Sequence, residues 1–197
     1  MRWHAAFLCV VLGFAACASS KVYLSKNYVR PGRVAVLPMS NDTNDLDGPI
    51  FVRKALFNML VRHGYQLIPL DEVDAKLKVQ GFTDGGQLKA ATPQKIGEWI
   101  GADGLFYSTL EDFNYILLGF YTQREVKIQG QMVDAQTGEK LWESEGGLTS
   151  RVVAASKEEA KRQFAIQTAT KFAEKLTHIP LQFETEAAVV RLLNTLP

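Results

Sequence analysis

The sequence predicts a single α/β (α+β) domain built on a mixed sheet, with an N-terminal strand-helix-strand unit, a C-terminal antiparallel meander and helices packed on it. Three observations lead there. A short apolar strand, an amphipathic helix and a second apolar strand open the folded part; residues 104–144 then hold three strand-like runs separated by turn-sized gaps. The whole chain of 197 residues is 47% hydrophobic and 22% charged, the balance of an ordinary folded domain.

Taken in order, Pro31-Gly32 punctuates the chain and RVAVLPM (Arg33 to Met39) reads as a buried strand that Pro38 brings to an end. Ser40 to Gly48 is a polar loop, and Pro49 suits the first turn of a helix. In that helix Val52, Ala55, Leu56, Met59 and Leu60 share one face, opposite Arg53, Lys54, Asn58 and Arg62, and Gly64 closes it. YQLIPL (Tyr65 to Leu70) is expected as a second strand, parallel to the first. Asp71 is expected to cap a short helix running through Val79 and closed by Gly81, and Thr92-Pro93 starts another that turns Ile96, Trp99 and Ile100 inward before Gly101.

The later strands show period two most clearly where Val126, Ile128 and Met132 alternate with Glu125, Lys127, Gln129 and Gln131. Asp134 to Gly138 supplies a hairpin loop. Ser156 with Glu159 forms a capping-box pattern before a long helix to about His178, whose stripe of Ala160, Phe164, Ala165, Ala169, Phe172 and Leu176 is expected to pack on the sheet. Pro180 breaks the pattern, and Glu186 to Leu196 forms a last amphipathic stretch, either docked or free for a partner.

The first seventeen residues, MRWHAAFLCVVLGFAAC, have a secretory-signal layout: one positive charge at Arg2, an apolar run from Ala5 to Phe14, then small residues. That run is shorter than the roughly twenty apolar residues a membrane-spanning helix requires. Two cleavage readings stay open, with an uncleaved anchor as a minor third. Phe14-Ala15-Ala16-Cys17 resembles the lipobox of bacterial lipoproteins, departing from it in carrying Phe where Leu is usual; alternatively, Ala16-Cys17-Ala18 is an A-x-A site releasing a soluble protein that starts at Ser19. The lipobox reading is preferred, with Cys17 as the lipidated residue, because a thiolate is the soft nucleophile that forms a thioether to a glycerolipid. It divides the chain into a signal peptide (1–16), a lipidated N-terminus and tether (17–30) and the α/β domain (31–197). Ala18 stands where lipoproteins kept in the inner membrane commonly carry Asp, so the resemblance implies the outer membrane.

Composition excludes several functions. Removing Arg2 leaves 21 basic residues against 21 acidic, dispersed along the chain, which gives nucleic acid no positive face. Cys9 and Cys17 are the only cysteines, so the domain has neither a disulfide framework nor a thiolate metal cage. His63 and His178 lack partners at metal-ligand spacing, and the oxygen-rich run Asn41 to Gly48 fails as an EF-hand, since Leu46 and Arg53 fall where ligands are needed. No nucleophile elbow, phosphate loop or dinucleotide fingerprint occurs; Gly85-Gly86 and Gly146-Gly147 read as ordinary loop or strand-end glycines. No cofactor is expected. Glu111, Asp112, Glu143 and Glu145 leave a glycosidase-like carboxylate pair open, because their separation in space is not given by sequence.

The segments RVAVLPMSNDT, GYQLIPLDEVDAKLKVQGF, GADGLFYSTLEDF and VDAQTGEKLWES, in that order behind the lipobox, resemble a bacterial lipoprotein family of uncharacterised function. The resemblance implies a fold similar to the N-terminal domain of TolB and to CsgG-type lipoproteins, with no catalytic residues carried over. It also implies a shared envelope assembly, with CsgG-like lipoproteins as partners. The expected function is therefore a non-enzymatic, outer-membrane-anchored, periplasm-facing adaptor or assembly factor. A periplasmic enzyme acting on cell-wall glycan and a surface-displayed antigen are the alternatives, and self-association is left open.

One segment stands out as a contact candidate. YILLGFY (Tyr115, Ile116, Leu117, Leu118, Gly119, Phe120 and Tyr121) falls between two strands where a polar turn is the norm. Either these residues carry the strands on into the core, or they project as a hairpin tip offering aromatic and aliphatic anchors to a partner.

Overall fold

A computed structural model describes residues 22–118, 120–177 and 181–197. Its strands are β1 (Tyr23–Leu24), β2 (Arg33–Val36), β3 (Ser40–Asn41), β4 (Gln66–Leu67), β5 (Gly104–Leu118), β6 (Tyr121–Asp134) and β7 (Lys140–Val153). Its helices are α1 (Gly48–Arg62), α2 (Leu70–Val79), α3 (Pro93–Ile100), α4 (Lys157–Thr177) and α5 (Gln182–Leu193), with a 3₁₀ segment at Gly85–Ala90. Together they form the expected mixed sheet, ordered β1-β7-β6-β5-β2-β4, with β3 beside β5. β2 runs parallel to both β4 and β5, and β5, β6 and β7 form the antiparallel meander. β1, inside the segment expected as tether, pairs antiparallel with the outer edge of β7.

Local chemistry explains most boundaries. Pro38 ends β2, and Asp45 accepts from the amides of Asp47 and Gly48, so the acidic loop is spent on turn formation and on the start of α1. Gly64, Gly81, Gly101 and Gly138 all take the positive φ expected of helix ends and a hairpin. The second strand is a correction: only Gln66–Leu67 pair, because Pro69 cannot donate to a ladder and α2 begins at Leu70. Pro69, not Asp71, occupies the N-cap. Arg53 also departs from the expected polar face of α1. It is buried and donates through Nε and Nη2 to the Val36 carbonyl at 3.2 and 2.8 Å, with Asp74 at 2.7 Å from Nη1. Burial draws its guanidinium below the ordinary value, with Asp74 pulling the other way.

Two apolar clusters lie on opposite faces of the sheet. α2 and α3 cover one through Val73, Leu77, Ile96 and Ile100, against Ala35, Leu37 and Leu105. α1 and α5 cover the other through Val52, Leu56, Val189 and Leu192, against Phe106, Ile128 and Trp142. The helix resting on the meander is thus α5, not α4. Gly130 and Gly146 make that approach possible: a Cβ on Gly146 would stand 2.3 Å from the Ala188 carbonyl oxygen and 2.4 Å from the Leu192 nitrogen. These are mid-strand packing positions, which corrects the strand-end reading of Gly146. Gly85 is likewise more than a loop residue, since its Cβ would meet the Met39–Ser40 peptide at 2.4 Å.

The expected stripe of α4 is overturned as well. Phe164 and Phe172 are 58% and 64% exposed, Ala165 and Ala169 are exposed, and Leu176 lies among residues whose side chains are not described. The face turned toward the domain holds Ala160, Gln163, Gln167 and Thr170 instead. The capping box itself forms, with Ser156 Oγ accepting from the Glu159 amide and Glu159 Oε2 from the Ala155 amide.

This arrangement predicts that Gly146→Ala costs about 1–3 kcal/mol, because the added methyl meets helix backbone that has no room to yield. Ala169→Leu on exposed α4 should stay within about 0.5 kcal/mol. Urea unfolding of both variants checks the assignment, and equal costs would mean that the wrong helix has been placed on the sheet.

Candidate contact surface

The meander extends beyond the part of the sheet that helices cover. β3 leaves β5 at Leu110, and a β-bulge between Leu110 and Asp112 inserts Glu111 into the β5 ladder. The bulge reverses the phase of β5. Leu110 and Phe113 both face the core, after which Tyr115 and Leu117 stay half-buried while Asp112, Asn114, Ile116 and Leu118 fall on the opposite, outer face. The strands run on to Leu118 and Tyr121, so the hairpin is tight, and the Phe120 carbonyl accepts from the Ala154 amide at 2.8 Å.

Of the two readings of 115–121, the structure combines parts of both. The segment does continue the strands, yet Leu118 is 67% exposed, Phe120 56% and neighbouring Val153 69%, so its aliphatic end meets solvent. Tyr121 faces Gln123, to which its hydroxyl donates. Gly119, like Cys17 and His178, lies outside the described residues.

Below the tip, on the core side, Arg124 is held by Glu184 of α5, with Nε–Oε1 at 2.7 Å and Nη2–Oε2 at 3.0 Å. Both side chains are more than nine-tenths buried, and the Arg124 guanidinium lies 5.4 Å from the centre of the Tyr115 ring. This two-point clasp joins the projecting hairpin to the first turn of α5. Sequence reading missed the pair, although a signal existed: Arg124 is in phase with buried Val126 and Ile128.

The outer face is polar. Lys127 reaches Glu111 at 2.7 Å and Glu145 at 3.8 Å, and Glu143 pairs with Lys140. Three of the four candidate carboxylates thus face cations at close range, which is what ion pairing on a strand surface requires. The fourth, Asp112, is raised above its ordinary range by partial burial and by Glu125 and Glu111 alongside, against the pull of Lys127. Among the described residues no cluster of His, Cys, Asp and Glu is arranged to hold a metal ion, and no helix is long and apolar enough to cross a membrane. A cleft of about 760 Å³ between α1 and α5 has an apolar floor of Phe51, Met59 and Val189, with Lys54, Arg62 and Glu186 at its rim.

Residues 23–177 match the GNA1162-like lipoprotein family. The chain belongs to that family. Its match runs from β1 through α4, so the hairpin and its apolar end lie within the GNA1162-like region and α5 lies beyond it. The chain is 28% identical over 141 residues to the lipoprotein NMB1124/NMB1162 of Neisseria meningitidis serogroup B, covering 68% of this chain and 65% of that relative's length. Among solved structures it is similar to lipoprotein GNA1162 from Neisseria meningitidis, at TM-score 0.55 and 20% identity over 73% of this chain and 99% of the other. It is also similar to the PelC dodecamer from Paraburkholderia phytofirmans, at TM-score 0.53 and 12% identity over 89% of this chain and 96% of the other. At these identities the two structures establish the shared fold.

If the clasp holds the hairpin as described, Arg124→Met should destabilise the domain by about 3–5 kcal/mol, because Glu184 is left buried and alone. Adding Glu184→Leu should recover most of that loss. Strictly additive losses in a double-mutant cycle would contradict the coupling.

Proposed function

We propose that the chain is an outer-membrane lipoprotein, cut before Cys17 and lipidated there, that serves without catalysis as an adaptor or assembly factor in a cell-envelope lipoprotein complex. The observation that carries this reading is the apolar end of the β5–β6 hairpin, solvent-exposed on a strand pair that a buried ion pair holds rigid. A rigid projection ending in Ile116, Leu118 and Phe120 is suited to contact, since interface centres are built from such anchors on pre-organised supports. Tyr23 pairs with Glu143 and Tyr121 with Val153, so the tip stands ten residues along β7, roughly 33 Å, from where the described chain enters the sheet. Membership in a lipoprotein family supports the anchor. The likeness to a dodecameric protein supports assembly, whether with CsgG-like lipoproteins or with further copies.

At ~0.8 kcal/mol per buried methylene, one acyl chain binds reversibly whereas two or three hold a protein stably, so lipidation at Cys17 would fix the domain beside its partners. Cys17→Ser should abolish fatty-acid labelling and detergent partition of the protein from intact cells; a mature N-terminus at Ser19 would sink the anchor. Leu118→Asp, placed on the exposed tip, should shift stability by less than about 0.5 kcal/mol while losing the envelope partners that the wild type captures by crosslinking. Capture of every partner by that variant would rule the tip out as the contact.

A further inference from the structure

α4 is inside-out for a helix that finishes its work within one chain. Its outward face carries Phe164, Ala165, Thr168, Ala169 and Phe172, while the face toward the domain is mostly polar. Thr168 lies in the same row and spends its hydroxyl on the Phe164 carbonyl at 2.8 Å. One to two turns earlier the same face carries Lys157 and Lys161, with Arg162 beside them, all exposed. The surface therefore reads basic, then aromatic, along about 20 Å of helix at 1.5 Å per residue.

The outer face of the meander has the complementary order. Nearest the tip it presents Ile116, Leu118 and Val153; four and six residue pairs down the ladder from Leu118 it presents Glu125 and Asp112. Among the described residues neither of these carboxylates has a cation within ion-pair distance. Glu125 accepts from Thr149 and Gln123, and Asp112 from Asn114. Lys127, bound to Glu111 and Glu145, and Arg151, which donates to Gln123, are the cations among the described residues on this part of the face, so together with Asp112 and Glu125 it keeps a net negative charge about 13–20 Å from Leu118, at 3.3 Å per strand residue.

We infer that α4 of one copy lies along the outer face of the β5–β6–β7 meander of a second copy, with Phe164 and Phe172 on Ile116, Leu118 and Val153, and Lys157, Lys161 and Arg162 on Asp112 and Glu125. The inference rests on the tip being a contact surface and names its partner as another copy of this chain. Helix and sheet face are different surfaces, so the contact closes either reciprocally, as a two-fold dimer in which each α4 lies on the other copy's sheet, or head-to-tail, as a ring. Charge at one end and aromatic burial at the other fix the direction of the helix on the sheet, since the reverse orientation would set Phe172 on carboxylates.

The test uses the full chain in mild detergent, its mass followed by light scattering. The wild type should form a multimer that Phe164→Asp/Phe172→Asp converts to monomer with an unchanged melting curve, both positions being exposed. Lys157→Glu/Lys161→Glu should also dissociate it, and adding Asp112→Lys/Glu125→Lys to that variant should restore the multimer. A monomeric wild type, a multimer indifferent to the α4 variants, or a failed charge swap each overturns the inference. So does a Phe172→Cys/Leu118→Cys variant whose crosslink forms within single chains, which would mean that α4 folds over its own sheet. Should the α4 variants keep their multimer while Leu118→Asp still loses envelope partners, the tip remains a contact surface for a different protein and only its assignment to α4 falls.

Discussion

The seating of α5 on the meander determines what the rest of the molecule presents. Gly130 and Gly146 leave a shallow trough in the sheet into which Leu192 and the Ala188 backbone descend, and Trp142 donates to Thr195 at 3.1 Å just past the helix end. At the other end, Arg124 and Glu184 exchange two charge-assisted hydrogen bonds in a site closed to water. A pair buried this deeply gains little net stability over an apolar substitute, because desolvation offsets most of the attraction. What it adds is position. It allows one placement of α5 along the sheet and holds the base of the hairpin to it.

With that side of the sheet occupied, α4 has no core left to join. Its aromatic residues stay outside, the hairpin beyond Leu110 stays uncovered on its outer face, and the two surfaces meet the same solvent. Surplus apolar side chains are thus gathered on the hairpin and one long helix, an arrangement that suits the contact role proposed above. Of the carboxylates that invited an enzymatic reading, Glu111, Glu143 and Glu145 are paired with lysines.

Much of the fold was legible because it follows local rules. The alternation around Val126 and Ile128, the glycines at helix ends and the capping of α4 all express backbone chemistry that neighbouring residues report directly. What sequence concealed is non-local. The bulge at Glu111 exchanges the two faces of β5, and no periodicity count anticipates an inserted residue, so which members of 115–121 point outward was unreadable. Of the stripe expected on α4, Phe164, Ala165, Ala169 and Phe172 do share a face, but it is the exposed one and Ala160 turns toward the domain, because periodicity gives an apolar face without saying whether the domain covers it. The glycines of β7 read as strand ends since only the approach of α5, more than forty residues later, gives them their use.

The central claim is that the isolated domain is complete without its tip and α4, which are kept for other molecules. Hydrogen–deuterium exchange on the full chain, measured when dilute in detergent and again in its native membrane, tests this most directly. Amides of α5, β6 and β7 should be equally protected in both, while those of α4 and the 115–121 segment should be slowed only in the membrane. Full protection of α4 and the tip in the dilute, monomeric chain would contradict it.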